Sequence, residues 1–235
     1  MRKISVIIPT FEHADSISVC IKSVLGQSRV VDEMIIVDDG STDDTQEILK
    51  TFFDKIDIIY QNNNGAPSAR NTGFRKSTGD MVLFCDADVE MKPTMIEELE
   101  KYLEQNSEVA YAYCRFKWMN RPFACGEFDV SRIRKENYIH TSSALIRRED
   151  FLQWDDELKK FQDWDLWLSM LEKGSFGGFV DRELYTVHQI KNRQNISTWL
   201  PSILYKIPWR FFGFMPEQVK KYNTAKSVII SKHNL

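Results

Sequence analysis

The six residues Phe84-Cys85-Asp86-Ala87-Asp88-Val89 close an apolar run, Asp80-Met81-Val82-Leu83-Phe84, with the length and composition of a buried strand. Two carboxylates follow where that strand would end. In extended backbone, residues two apart point the same way, so Asp86 and Asp88 would present both carboxylates to one side. Ligands of open α/β sheets bind at the carboxyl ends of the strands. Paired hard oxygens there suit Mg²⁺ or Mn²⁺ shared with the phosphate oxygens of a nucleotide. The plain alternative is a strand followed by an acidic turn.

Upstream, the same design repeats. Lys3 to Ile8 is a β-rich run closed by Pro9, which is expected to end the strand. The loop Thr10-Phe11-Glu12-His13 follows. Ile17, Cys20, Ile21, Val24 and Leu25 then recur at helical spacing behind a cap at Asp15 or Ser16, and Gly26 is placed to stop the helix. Glu33-Met34-Ile35-Ile36-Val37 is a second buried strand, and Asp38-Asp39-Gly40-Ser41-Thr42-Asp43 turns into a helix from Asp44 to Phe53. Ile56 to Tyr60 is a third strand. Asn62 to Pro67 is turn chemistry, and Ser68 to Lys76 reads as a helix with Arg70 in its first turns, where a cation and free N–H groups can meet an anion. A solvated surface arginine is the plain reading of Arg70.

Strands alternating with helices argue an α/β fold with a mostly parallel sheet and helices on both faces. Right-handed crossovers carry the strand ends after Ile8, Val37, Tyr60 and Phe84 to one rim. The loops there hold Thr10, Asp38, Asp39, Asn64, Gly65, Asp86 and Asp88, so residues distant in the chain converge on one cleft.

Downstream, Pro93 suits the first turn of a helix running to about Gln105. Glu108 to Phe116 and Thr141 to Arg147 read as strands and Arg148 to Leu152 as a short helix, whereas residues 117–137 carry no pattern. Trp164, Trp167, Leu168 and Leu171 share one helical face, which puts Asp163 at the N-cap or in the first turn, most simply as a structural cap. Phe176–Val180 and Leu184–His188 are the last expected strands, and a lone histidine such as His188 is more often packed or exposed than a ligand. The tail from Trp199 to Met215 mixes aromatics with Lys206 and Arg210. That mixture suits peripheral contact with a membrane interface, a helix folded onto the core, or a homodimer contact.

The 235 residues fit one domain with an appended subregion. A net charge of −3 gives no electrostatic case for nucleic acid. The four cysteines form no C-x-x-C pair, which fits a reduced, cytoplasmic setting. The apolar run after the charged N-terminus is too short for a signal peptide, and no stretch approaches the ~18 apolar residues of a membrane span. No G-x-G-x-x-G follows the first strand, which argues against a dinucleotide-binding oxidoreductase.

Five segments in this order resemble the family 2 glycosyltransferases, inverting enzymes of the GT-A fold: Val6-Ile7-Ile8-Pro9-Thr10-Phe11, Ile36 to Asp43, Ala69-Arg70-Asn71-Thr72-Gly73, Asp86-Ala87-Asp88 and Gln162-Asp163-Trp164-Asp165-Leu166-Trp167-Leu168. The resemblance covers roughly residues 3–190. It implies a nucleotide-sugar donor, most simply UDP-linked, and a Mg²⁺ or Mn²⁺ ion. Pro9, Thr10, Phe11, Glu12 and Asp39 would hold the base, with Gly65 and Arg70 near the nucleotide. Asp86 would meet the ribose or the metal with Ala87 beside it, Asp88 would bind the metal bridging the two phosphates, and His188 would support the metal and diphosphate. Asp163 would be the general base toward a hydroxyl of a saccharide or lipid-linked saccharide in envelope polysaccharide assembly, and the expected location is the cytoplasm, either free or peripheral to the inner face of the cytoplasmic membrane through the 199–215 tail. By the same resemblance, residues 1–105 form the donor half and 106–190 the acceptor and base half of one GT-A domain, and 191–235 a helical tail.

Three positions depart from the family: Gln162 where glutamate often precedes the base, Val89 where many relatives carry aspartate, and Phe11-Glu12-His13 in place of the more usual Tyr-Asn. Two alternatives stay open, a polyprenyl-phosphate glycosyltransferase, whose acceptor needs no base, and a non-catalytic nucleotide-sugar-binding protein.

Overall fold

Isoleucine and valine run almost unbroken through the first two strands, as befits strands covered on both faces. The computed structural model describes residues 2–188 and 214–235 with Tyr205, Ile207 and Trp209. The chain runs β1 (Ile4–Thr10), α1 (Ile17–Leu25), β2 (Glu33–Asp38), α2 (Thr45–Lys50), β3 (Asp57–Tyr60), α3 (Ala66–Lys76), β4 (Met81–Phe84), β5 (Val89–Met91) and α4 (Met95–Gln105). It continues through β6 (Tyr111–Trp118), β7 (Arg121–Pro122), α5 (Val130–Ile133), β8 (Ala144–Arg147), α6 (Gln162–Glu172), β9 (Gly177–Val187) and α7 (Glu217–Lys232). One sheet has the order β3-β2-β1-β4-β8-β6-β9-β5, with β7 beside β6. The first four are mutually parallel, and β8 enters antiparallel to β4.

Alternation along β1 splits the core. Ile4, Val6 and Ile8 pack with the buried faces of α1 and α4, and Ile7 faces the opposite layer with Phe84, Trp164 and Trp167. Gly73 of α3 lies directly on β1, where an added Cβ would overlap Ile7 Cγ2 and crowd Val37. Gly73→Ala is therefore expected to cost about 1–3 kcal/mol by overpacking, read as a lower denaturant midpoint at unchanged m-value.

Pro9 does not end its strand. It pairs in register with Val37, and Thr10 with Asp38. The Ile7 carbonyl accepts from Cys85 N on the β4 side. Strand alternation turns the donorless Pro9 nitrogen to that side too, beyond the last β1–β4 pair at Ile7 and Phe84, so no ladder bond is lost. Thr141–Ser143 form a 3-10 turn before β8. The two expected final strands are one, β9, whose pairing with β6 skips from Val180 to Glu183 at a bulge.

Arg147 and Arg148 close two helices that lack terminal glycine. Arg147 Nη2 donates to the Leu103 carbonyl in the last turn of α4 at 2.6 Å, and Arg148 Nη2 donates to the Ser77 carbonyl just beyond α3 at 2.8 Å. These cations offset carbonyl-rich helix ends. All four cysteines are buried and unbridged. Among the described residues no helix is long and apolar enough to cross a membrane. Most of the aromatic stretch 199–215 lies outside the described residues.

Candidate functional site

The carboxyl ends of β2, β1 and β4 lie side by side, and strands ~4.8 Å apart bring their loops within ~10 Å. At the β2 end, Asp39 is buried and its carboxylate accepts from Asn64 N (2.9 Å), Gly65 N (2.7 Å) and Gln61 Nε2 (2.7 Å). It thereby shapes the turn before α3, where Gly65 holds φ +89°, a conformation that favours glycine. Glu12 also sits in the left-handed region, at φ +56°. Its N–H donates to Ser41 Oγ at 3.0 Å, and its carboxylate accepts from Thr42 N at 2.7 Å. Glu12 thus ties the loop after β1 to the loop after β2. Pro9, Thr10 and Phe11 lead into this corner, where the buried Thr10 hydroxyl has no hydrogen-bond partner among the described residues.

The β4 end carries the denser network. Arg70, buried in α3, donates from Nη2 to Asp86 Oδ1 at 2.7 Å and from Nη1 to Gln162 Oε1 at 3.3 Å. Its guanidinium lies 4.7 Å from the Trp154 ring centroid. Ser142 Oγ accepts from Asp86 N at 2.9 Å, and His140 Nε2 is 3.7 Å from Asp86 Oδ2. Burial alone would raise the Asp86 pKa, but the charges of Arg70 and His140 outweigh it and hold the carboxyl below its ordinary 3.8. Ala87 is buried beside it.

Asp163 occupies the first turn of α6, where its Oδ1 accepts from Trp164 N at 2.9 Å. Desolvation pushes its pKa above 3.8 against the opposing pull of His140, Asn137 and Arg70. Desolvation likewise lowers His140 below 6.5, although Asp86 and Asp163 pull upward. The His140 ring is held by the Tyr185 hydroxyl, 3.0 Å from Nδ1. Asp86 and Asp163 therefore act on one imidazole, with opposite displacements of their own pKa values. Titratable groups pushed apart in this way within a cleft mark a candidate site for proton transfer.

Asp88 and His188 meet through the backbone. β5 and β9 pair antiparallel at Val89 and Val187, and His188 N donates to the Asp88 carbonyl at 2.9 Å. The His188 ring turns to Glu90, with Nε2 2.6 Å from Oε2. Among the described residues no three His, Cys, Asp or Glu side chains are clustered as a ready-made metal site. Arg70, Asp86 and Asp163 thus share one network, Glu12, Asp39 and Gly65 share a second, and Asp88 with His188 form a third junction at the same sheet's edge.

His140, Asn137, Ser142 and Trp154 belong to this region, and none stood out in the sequence. Ser142 falls in an expected strand, and Asn137, His140 and Trp154 fall in no motif. The available signal was strand direction: β8 runs antiparallel to β4, with Leu83 opposite Leu145, so residues just before β8 necessarily reach the rim where Asp86 emerges.

Known proteins resemble this chain in sequence and in fold. TuaG of Bacillus subtilis strain 168, a glycosyltransferase assigned to teichuronic acid biosynthesis, is 30% identical over 210 residues, covering 83% of this chain and 82% of TuaG. YibD of Escherichia coli K12, named a glycosyltransferase, is 40% identical over 123 residues, 51% of this chain. That match covers 35% of YibD, so this chain spans only about a third of that relative. Among solved structures, residues 1–349 of Staphylococcus aureus TarS in complex with UDP-GlcNAc superpose with a TM-score of 0.68 at 19% identity, covering 87% of this chain and 64% of that one. Glucosyl-3-phosphoglycerate synthase of Mycobacterium tuberculosis, solved with Mn²⁺, UDP and glucosyl-3-phosphoglycerate, gives 0.59 at 16% identity, covering 80% and 73%. These likenesses establish the GT-A type of fold. Residues 5–153, which hold Pro9 to Glu12, Asp39, Gly65, Arg70 and Asp86 to Asp88, match the model of Glycosyl transferase family 2, and the chain belongs to that family.

Proposed function

We propose that this glycosyltransferase inverts the anomeric centre, moving a sugar from a UDP-sugar to a hydroxyl of a saccharide or lipid-linked saccharide, with Asp163 as general base. The observation that carries this reading is Asp163 itself: a carboxylate of raised pKa on α6, coupled to His140 and Arg70 beside Asp86. A carboxylate raised above its ordinary 3.8 binds a proton more readily, and positioned proton transfer contributes ~10²–10⁴-fold. The acceptor oxygen attacks the anomeric carbon as its proton passes to Asp163. The bond to the diphosphate oxygen breaks on the opposite face, and the diphosphate leaves with the electron pair.

In this reading residues 1–105 bind the donor and 106–190 bind the acceptor and carry the base. Pro9, Thr10, Phe11, Glu12, Asp39 and Gly65 frame the uracil corner. Arg70, Asp86 and Ala87 border the ribose and phosphates. For a divalent ion the donor set fits: a carboxylate and an imidazole on adjoining backbone at Asp88 and His188, with Glu90 holding the ring as carboxylates commonly hold metal-binding histidines. Two protein ligands suffice only if phosphate oxygens complete the shell, as is usual for Mg²⁺. When bound, the ion offsets charge developing on the departing diphosphate. The UDP-GlcNAc held by TarS and the Mn²⁺ and UDP held by the mycobacterial synthase support the same choice of donor and ion.

A thermal-shift panel of UDP-, GDP- and dTDP-sugars with and without Mn²⁺ tests the donor. Ligand at 100 times Kd adds about 2.7 kcal/mol, a rise of roughly 5–10 °C for a chain this size. UDP-sugars with Mn²⁺ are expected to give it. A larger rise with GDP- or dTDP-sugars would replace the uracil assignment, and an equal rise without Mn²⁺ would remove the metal.

A further inference from the structure

The last described helix, α7, lies against the back of α6, and its closing residues grip the turn that holds Asp163. Lys232 Nζ is 2.6 Å from Asp155 Oδ2 and 2.8 Å from Asp165 Oδ1. His233, buried, sets Nε2 2.8 Å from Asp165 Oδ1 and Nδ1 2.8 Å from Glu172 Oε1. Asp165 is itself buried, so these partners are what its carboxylate has in place of water. Residues two apart on a helix point about 200° from each other. Asp165 therefore faces α7 while Asp163 lies on the side of His140, Asn137 and Arg70.

A second grip lies just before α6. Phe161 adopts φ +58° immediately ahead of the helix, and its ring meets Tyr222 of α7 at 5.2 Å. The Asp155 arm continues toward Arg70 as well. Its neighbours Trp154 and Asp156 are bound by Asn71 of α3, with Nδ2 donating to the Trp154 carbonyl at 2.9 Å and to Asp156 Oδ1 at 2.6 Å. The Trp154 ring underlies the Arg70 guanidinium. One ammonium thus links the loop behind Arg70 to the helix of Asp163.

We propose that Lys232 and His233 are positioning residues for glycosyl transfer, holding Asp163 in register with the Arg70–Asp86 pair by clamping Asp165 and Asp155 from behind. This rests on the reading of Asp163 as the base. A shift of about 1 Å in a catalytic group can cost ~10²-fold in rate, so the clamp is expected to act on turnover rather than on donor binding.

The test uses Lys232→Met, His233→Asn and Lys232→Arg in the full chain, with Asp163→Asn alongside. Transfer kinetics, UDP-sugar affinity by calorimetry and the melting temperature are measured for each. Lys232→Met and His233→Asn are expected to lower kcat at least about tenfold while donor Kd stays within about twofold, and Lys232→Arg, which can fork between the two carboxylates, restores kcat. A purely structural role would lower the melting temperature and the active fraction while leaving turnover per folded molecule unchanged, and that result would overturn the clamp. Should a variant fail to fold, the Asp155→Asn variant, which cuts the Lys232 link to the Trp154 loop alone, decides by the same kcat and Kd comparison. Near-normal turnover in Asp163→Asn would instead remove the base assignment. Loss of turnover there with full turnover in the Lys232 and His233 variants removes only the clamp.

Discussion

Asp163→Asn is expected to lower kcat by about 10²–10⁴-fold while leaving the affinity for a UDP-sugar almost unchanged. The asparagine keeps the size of the side chain and can still accept from Trp164 N, so the first turn of α6 survives. It cannot take a proton. The same change is expected to stabilise the protein at neutral pH. Desolvation raises the Asp163 pKa, so its ionised form is disfavoured in the folded state relative to the unfolded chain. That group therefore contributes stability at low pH that is lost as pH rises through its folded value. Removing the charge removes the loss, and a higher melting temperature at pH 7 with little difference near pH 3 is the expected pattern. In the wild type, the acid limb of the pH profile of kcat/KM is expected above 3.8, the direction in which burial moves the group. Turnover close to wild type in the variant would favour a phosphate acceptor that arrives already deprotonated.

Trp167→Ala is expected to give the largest loss of stability, about 3–5 kcal/mol for a buried tryptophan, or roughly 10 °C in melting temperature at this chain length. The indole is fully buried, stacks on Tyr111 at 4.7 Å, and donates from Nε1 to the Ile139 carbonyl at 2.9 Å. Trp164 makes the parallel contact, from Nε1 to the Ile133 carbonyl at 2.6 Å. The two tryptophans that make α6 amphipathic therefore also fix the segment ending at His140. Trp167→Phe keeps most of the packing and leaves the Ile139 carbonyl without its donor, a cost of about 1–3 kcal/mol. Reduced kcat per folded molecule in that variant would show that the segment's position matters to the reaction. Full turnover would show that the contact serves stability alone.

These two predictions meet because the helix that builds the core also carries the candidate base. The opposed pKa displacements of Asp86 and Asp163 arise from the same arrangement. Arg70 is close enough to Asp86 for a direct ion pair at 2.7 Å, whereas at Asp163 desolvation prevails over the attraction of His140. One carboxylate is kept ionised and the other is poised to accept a proton.

The amino-acid sequence by itself determined the half of the sheet from β1 to β4 and the rim where Asp39, Gly65, Asp86 and Asp88 emerge. Unbroken apolar runs, turn chemistry and right-handed crossovers are local or handed rules, and together they leave few ways to connect four parallel strands. The helical face of Trp164 and Trp167 likewise placed Asp163 in a first turn, as observed. Only the tertiary structure decided that Pro9 stays within β1, because the direction of its missing donor depends on where β4 stops. Only it brought His140 beside Asp86 and Asp163, because β8 runs antiparallel to β4 and no spacing in the sequence gives that direction. The grip of Lys232 and His233 on Asp165 was equally illegible: a buried ion pair between residues far apart in the chain leaves no trace in spacing, and forms only where packing has already excluded water.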